Sequence, residues 1–241
     1  MTTVSRPETT VGMIYPDHAA EDDYPRAAAW LDVHLPVVHV YGTDLHAVPE
    51  LLDLGRPERL AEAAEKLAVH RPQAVMWACT SGSFVYGLAG AQQQADQLAL
   101  ATGVPAASTS QAFVAALGEL GVHRVAVAAS YPQPVATLFV EYLVGAGIDI
   151  TAMSSAGIDT AAEVGGLTPD YVLDLALSND HPAADALLIP DTAMRTVQLL
   201  PELEAQLGKP VLTANQITIW HGLRLAGAPR HDARLGTLFA P

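Results

Sequence analysis

Cys79-Thr80-Ser81-Gly82-Ser83 holds the chain's one cysteine among three hydroxyl side chains. The apolar run AVMWA ends just before the turn, and a helical stretch follows it. A thiol at such a junction meets the free N–H groups and positive end of a helix, which favour a thiolate and hold anions. The segment therefore reads as a nucleophile or acid/base thiol beside a carboxylate cradle. The plainer reading is a small buried cysteine before an ordinary Ser/Thr cap. Asp191-Thr192 follows a second apolar run, ALLIP. Alone it also reads as a helix cap. Opposite a thiol it is a second proton-transfer group, one for each face of a planar intermediate. Tyr131, after RVAVAAS, offers either a hydroxyl to a substrate carboxylate or a rim aromatic. Asp17-His18 and Glu21-Asp22-Asp23 read as a loop and an acidic first helical turn rather than a cation site, with Asp17 alone admitted to the cleft. Arg195 and Asn215 also lie just past strand ends, and Trp220-His221 reads as packing.

These residues need a scaffold that brings strand ends together. Strands are expected at 11–16, 35–41, 74–78, 104–107, 124–129, 148–154, 186–189 and 210–213. Helices are expected at 58–70, 83–102, 111–120, 134–146, 196–207 and 216–226, with Thr168 capping one that starts at Pro169 and ends near Ser178. Strands that are apolar throughout and separated by helices imply parallel sheets covered on both faces. Right-handed crossovers then put the strand C-terminal ends on one edge, where ligands bind.

The chain also repeats itself. Gly103-Val-Pro105 with Gln111 returns as Gly208-Lys-Pro210 with Gln216, 105 residues later. AVMWA-Cys79-Thr80 returns as ALLIP-Asp191-Thr192 at an offset of 112, and VGMIY-Pro16-Asp17 as VAVAA-Ser130-Tyr131 at 114. The expected fold is α/β, with two similar Rossmann-like lobes related by a pseudo-twofold and the active site between them. The lobes would be residues 1–115 and 116–241, the helix at 216–227 packing back on the first.

Composition narrows the functions. Twenty-six acids against 12 bases give a net charge of −14, and Lys66 and Lys209 are the two lysines among 241 residues. Nucleic acid and anionic membrane surfaces would repel such a chain. At 50% hydrophobic and 16% charged it is a globular sequence, not a disordered one. One cysteine cannot make an internal disulfide or a Cys-rich metal site. No metal and no cofactor is expected. No run approaches the ~20 apolar residues of a membrane span, and Met1–Thr10 lacks the apolar core of a secretory signal. A cytoplasmic location is therefore expected; monomer and homodimer both stay open. G-x-G-x-x-G after a strand, the P-loop, H-E-x-x-H and G-x-S-x-G are all missing, which disfavours common dehydrogenases, NTPases and hydrolases.

In order and spacing, these segments resemble the Asp/Glu racemase superfamily, in its arylmalonate decarboxylase and maleate isomerase branch. The likeness runs through GMIYP, Cys79-Thr80-Ser81 with Phe84, Gly103-Val-Pro105, HRVAVAASY, Ala186-Leu-Leu-Ile189, Gly208-Lys-Pro210-Val211, Trp220 with Leu223–Gly227, and Gly236-Thr237-Leu238-Phe239. The resemblance implies a cofactor-independent enzyme that holds a small carboxylate between two lobes. Racemases of this kind pair two cysteines. Maleate isomerases use the first-lobe cysteine as nucleophile, and arylmalonate decarboxylases keep only the second, as proton donor. Here Cys79 fills the first position and Asp191 the second. Thr80, Ser81 and Tyr131 match the carboxylate-holding donors, and Thr192, Asp17 and Pro16 complete the expected substrate contacts. The implied activity is isomerisation or racemisation at a carbon alpha to a carboxylate. Decarboxylation of a substituted malonate, or binding of a small acid or a nitrogenous, ectoine-like compound without catalysis, are the alternatives.

Overall fold

Among the described residues, eight strands build two four-stranded parallel sheets. The first contains β1 (Val11–Pro16), β2 (Val37–Val40), β3 (Ala74–Trp77) and β4 (Ala106–Ser108); the second contains β5 (Arg124–Ala129), β6 (Asp149–Ser155), β7 (Ala186–Ile189) and β8 (Val211–Thr213). The computed structural model describes residues 9–16 and 19–241. The sheet orders are β2-β1-β3-β4 and β6-β5-β7-β8, the same topology twice. β3 and β7 are buried along their whole length, as strands covered on both faces must be. The repeated Gln111 and Gln216 do the same work in each lobe. Gln111 Oε1 accepts the Ser108 N–H at 2.9 Å, and Gln216 Oε1 accepts the Thr213 N–H at 3.0 Å. Each closes the start of the helix that follows β4 or β8.

Several elements differ from expectation. The helix expected over 83–102 is two helices, Ser81–Phe84 and Gly87–Thr102. Gly87 opens the second helix at φ +68, a left-handed conformation that breaks the run from the first. The helix expected from Thr196 starts at Leu200. The Thr196 and Val197 N–H groups instead donate to Asp23 Oδ2 at 3.1 and 3.5 Å. Short helices at Val48–Leu54 and Ala161–Gly165 were not expected.

Helix Ala214–Leu225 follows the last strand yet lies against β1, β3, β4 and helix Thr109–Leu120 of the first half. Thr109 and Thr218 meet there at 2.7 Å, and a side chain at Gly222 would sit 2.6 Å from Val11 Cγ1. Aromatic rings join the halves as well. Phe84 packs on Phe139 and Phe139 on Phe113, both at 5.3 Å between centroids, and Phe84 also meets Tyr131 at 5.9 Å. Such pairs contribute roughly 0.5–1.5 kcal/mol each beyond burial.

Candidate active site

Cys79 leaves the end of β3 and enters the turn into helix Ser81–Phe84. Its Sγ accepts the Gly82 N–H at 3.3 Å and lies 3.9 Å from Ser81 Oγ. The Gly82 carbonyl accepts from Trp77 Nε1 at 3.3 Å and from Gln94 Nε2 at 3.0 Å. The thiol turn is thereby tied to β3 and to the long helix. Burial pushes the thiol up to about 12. The Gly82 N–H and Ser81 hydroxyl pull it down less, and Asp191 pushes it further up. This corrects the sequence expectation of a thiol lowered by a helix end. The helix has only four residues, so its dipole is small, and desolvation of the charged form outweighs it.

Asp191 stands in the equivalent place after β7 and is 3% exposed. Its Oδ1 accepts the Ala193 N–H at 2.9 Å, and its Oδ2 accepts the Ser130 hydroxyl. Tyr131 Oη donates to Pro190 O at 2.8 Å, just upstream. Burial, then the Asp191 charge, push the Tyr131 phenol well up, so it stays a neutral donor. The Thr192 carbonyl is held by Tyr15 Oη at 2.7 Å and Asn215 Nδ2 at 3.1 Å.

One cavity brings Cys79, Ser81, Asp191, Thr192 and Pro16 together, with Tyr15, Asp44 and His46 also in its wall and Leu45, Leu51 and Leu54 supplying an apolar side. Its free volume is about 30 Å³, room for one or two water molecules. A small acid fits only as the wall gives. Thr80 and Tyr131 are buried beside this group and are not in the cavity wall. Thr80 Oγ1 has no hydrogen-bond partner. Asp17 lies outside the described residues. Asp22 pairs with Arg195 at 2.8 Å, away from the cavity. Among the described residues no group of three or more His, Cys, Asp or Glu is placed to hold a metal ion.

His46 was missed by sequence reasoning. It follows no strand end and belongs to no spaced motif, so nothing local marks it. It reaches the site because residues 44–46 bridge to 158–161: Ala161 N–H donates to Asp44 O at 2.9 Å and His46 N–H to Asp159 O at 2.7 Å. Ser130, read only as part of a strand end, is the other unexpected partner of Asp191.

Comparison with known proteins agrees with this architecture. The family model described as arylmalonate decarboxylase matches residues 12–239. The arylmalonate decarboxylase of Bordetella bronchiseptica is 30% identical over 221 residues, 90% of each chain. A crystal structure of a Pseudomonas putida S16 maleate isomerase variant with maleate superposes at a TM-score of 0.89, with 22% identity over 96% of this chain and 97% of that one. A liganded double mutant of arylmalonate decarboxylase gives 0.86, with 26% identity over 96% and 98%.

Proposed function

The chain belongs to the arylmalonate decarboxylase family, and from that premise we propose that it is a cofactor-independent isomerase or racemase acting at the carbon alpha to the carboxylate of a small acid. One observation carries the reading: an acid and a base, Cys79 and Asp191, leave equivalent strands of the two sheets and line one cavity. The burial that holds Cys79 as a thiol supports one division of roles. Asp191, accepting two hydrogen bonds, is the base that removes the α-proton from one face. Cys79 gives its thiol proton to the other face. The Cα–H bond breaks toward Asp191 and a new one forms from Cys79, leaving a protonated carboxyl and a thiolate poised for the reverse reaction.

The α-proton of a carboxylate is weakly acidic, so the enediolate must be stabilised as it forms. Ser81 and Thr192, both in the cavity wall, are the hydroxyl residues that would donate to that charge.

The second reading is decarboxylation of a substituted malonate. Loss of carbon dioxide generates the enediolate without a base, and the protonated Cys79 suffices to quench it. The 30% identical decarboxylase favours this; a second carboxyl, Asp191, beside the departing carboxylate opposes it. The test offers purified protein three substrates: an enantiopure 2-arylpropionate in D2O, maleate, and phenylmalonate. Loss of optical rotation with α-deuteration supports the first reading with these roles; conversion of maleate to fumarate breaks no Cα–H bond and would instead make Cys79 a nucleophile that adds to the alkene. Carbon dioxide release from phenylmalonate without either establishes the second.

A further inference from the structure

His46 is buried, lines the cavity and has no part in the two-residue scheme above. It stands in the loop between β2 and helix Val48–Leu54, and the second half of the chain fixes its ring. Tyr131 packs edge-on against it, centroids 5.0 Å apart, and Nδ1 lies 3.1 Å from Ile158 O. A carbonyl oxygen can only accept, so Nδ1 carries a hydrogen. In the neutral ring Nε2 is then a lone pair, and it faces Asp191 Oδ2 at 3.9 Å. His46 and Asp191 are thus two bases with one proton position between them. The other titratable groups facing this pair are Cys79, Tyr15, Tyr131 and Asp44; among the described residues no lysine or arginine lines the cavity.

We propose that His46 is the proton relay of Asp191: Nε2 takes the proton that Asp191 has removed from the substrate and passes it to solvent. The O–H bond of the protonated carboxyl breaks, an N–H bond forms at Nε2, and the imidazolium releases its proton to water or a buffer base. The carboxylate is restored for the next turnover, and a proton from water or a buffer acid returns to the Cys79 thiolate, so that the site regains both its base and its acid. The 3.9 Å gap must close by about 1 Å to reach an ordinary hydrogen bond. Contacts of this kind are often long without substrate and tighten when it binds. His46 acts through Asp191 and is a positioning residue in this scheme. The inference rests on Asp191 being the base.

The decisive variant is His46→Asn, whose amide keeps a donor for Ile158 O while removing Nε2. With an α-deuterated enantiopure acid in water, the wild-type protein exchanges the abstracted deuteron with solvent. In His46→Asn the deuteron stays on Asp191 and returns to the carbon it left. Exchange per racemisation event falls, kcat drops about 10- to 100-fold, at or below the ~10²-fold low end of direct general acid–base contributions because His46 acts through Asp191, and added imidazole restores part of it. Unchanged exchange and kcat in the variant overturn the relay. If the wild-type protein moves no α-proton in any tested acid, the functional reading fails on its own, and the pair is then read directly by 15N NMR. There the His46 ring must show hydrogen on Nδ1, and its Nε2 resonance must move in Asp191→Asn. A neutral ring with its hydrogen on Nε2, or no movement, overturns the relay independently of any substrate.

Discussion

At the scale of single residues, the thiol is the most exacting test. Cys79→Ala is expected to reduce turnover by a factor on the order of 10²–10⁴, the usual worth of a positioned acid, with an unchanged far-ultraviolet circular dichroism spectrum. Full activity in Cys79→Ala would exclude the proton-pair mechanism. Because burial holds the thiol up to about 12, alkylation of the native protein by iodoacetamide should be slow at pH 8 and climb steadily into the alkaline range. The urea-unfolded chain should react fast at pH 8. A native thiol that is already fully reactive at neutral pH contradicts the assignment of Cys79 as acid. The sequence displayed Cys79 and Asp191 because both follow apolar strands, where parallel sheets place their ligands. It did not display the charge state of the thiol, which depends on how deeply distant side chains bury it. Nor did it display His46, whose partner Ile158 is 112 residues away.

At the scale of elements, three of the four central strands were legible to the residue, and β3 ends one residue early. Val11–Pro16, Arg124–Ala129 and Ala186–Ile189 occur where continuous apolar runs must be covered on both faces. The break near Tyr86 was not, because the apolar spacing continues across it while a left-handed glycine interrupts the backbone. That break turns the thiol loop into a separate unit held from outside. Gln94, on helix Gly87–Thr102, donates to both Gly55 O at 2.7 Å and Gly82 O at 3.0 Å. Gln94→Ala removes both bonds and should destabilise the fold by about 1–3 kcal/mol, at roughly 0.5–1.5 kcal/mol per bond. Urea denaturation measures this. The same variant should lower kcat more than it raises KM, since Gln94 steadies the Cys79 turn and does not line the cavity. A loss confined to KM would detach the loop from the chemistry.

At the scale of the whole molecule, the two lobes are joined by a buried carboxylate whose charge makes the junction sensitive to pH. Asp23 opens helix Asp23–Leu31 of the first half and is 2% exposed. Its Oδ2 accepts the Thr196 N–H and Asn215 Nδ2, both at 3.1 Å, from the second half. Burial raises its pKa; the bonds from Asn215, Thr196 and Val197 offset part of that, and neighbouring Asp22 adds to it. The native state therefore keeps this proton to a higher pH than the unfolded chain does. Its contribution to stability is fully present below the unfolded carboxylate range and is lost as pH rises through the folded value. Asp23→Asn keeps an oxygen to accept from Thr196 and has no charge to bury. The melting temperature of the wild type minus that of Asp23→Asn should accordingly fall as pH rises from acid toward neutral. Taking the difference cancels the other acids that contribute to the net charge of −14, because both proteins carry them. A difference that stays flat or grows with pH would mean that the three donors outweigh burial at Asp23, and that the junction favours the charged form.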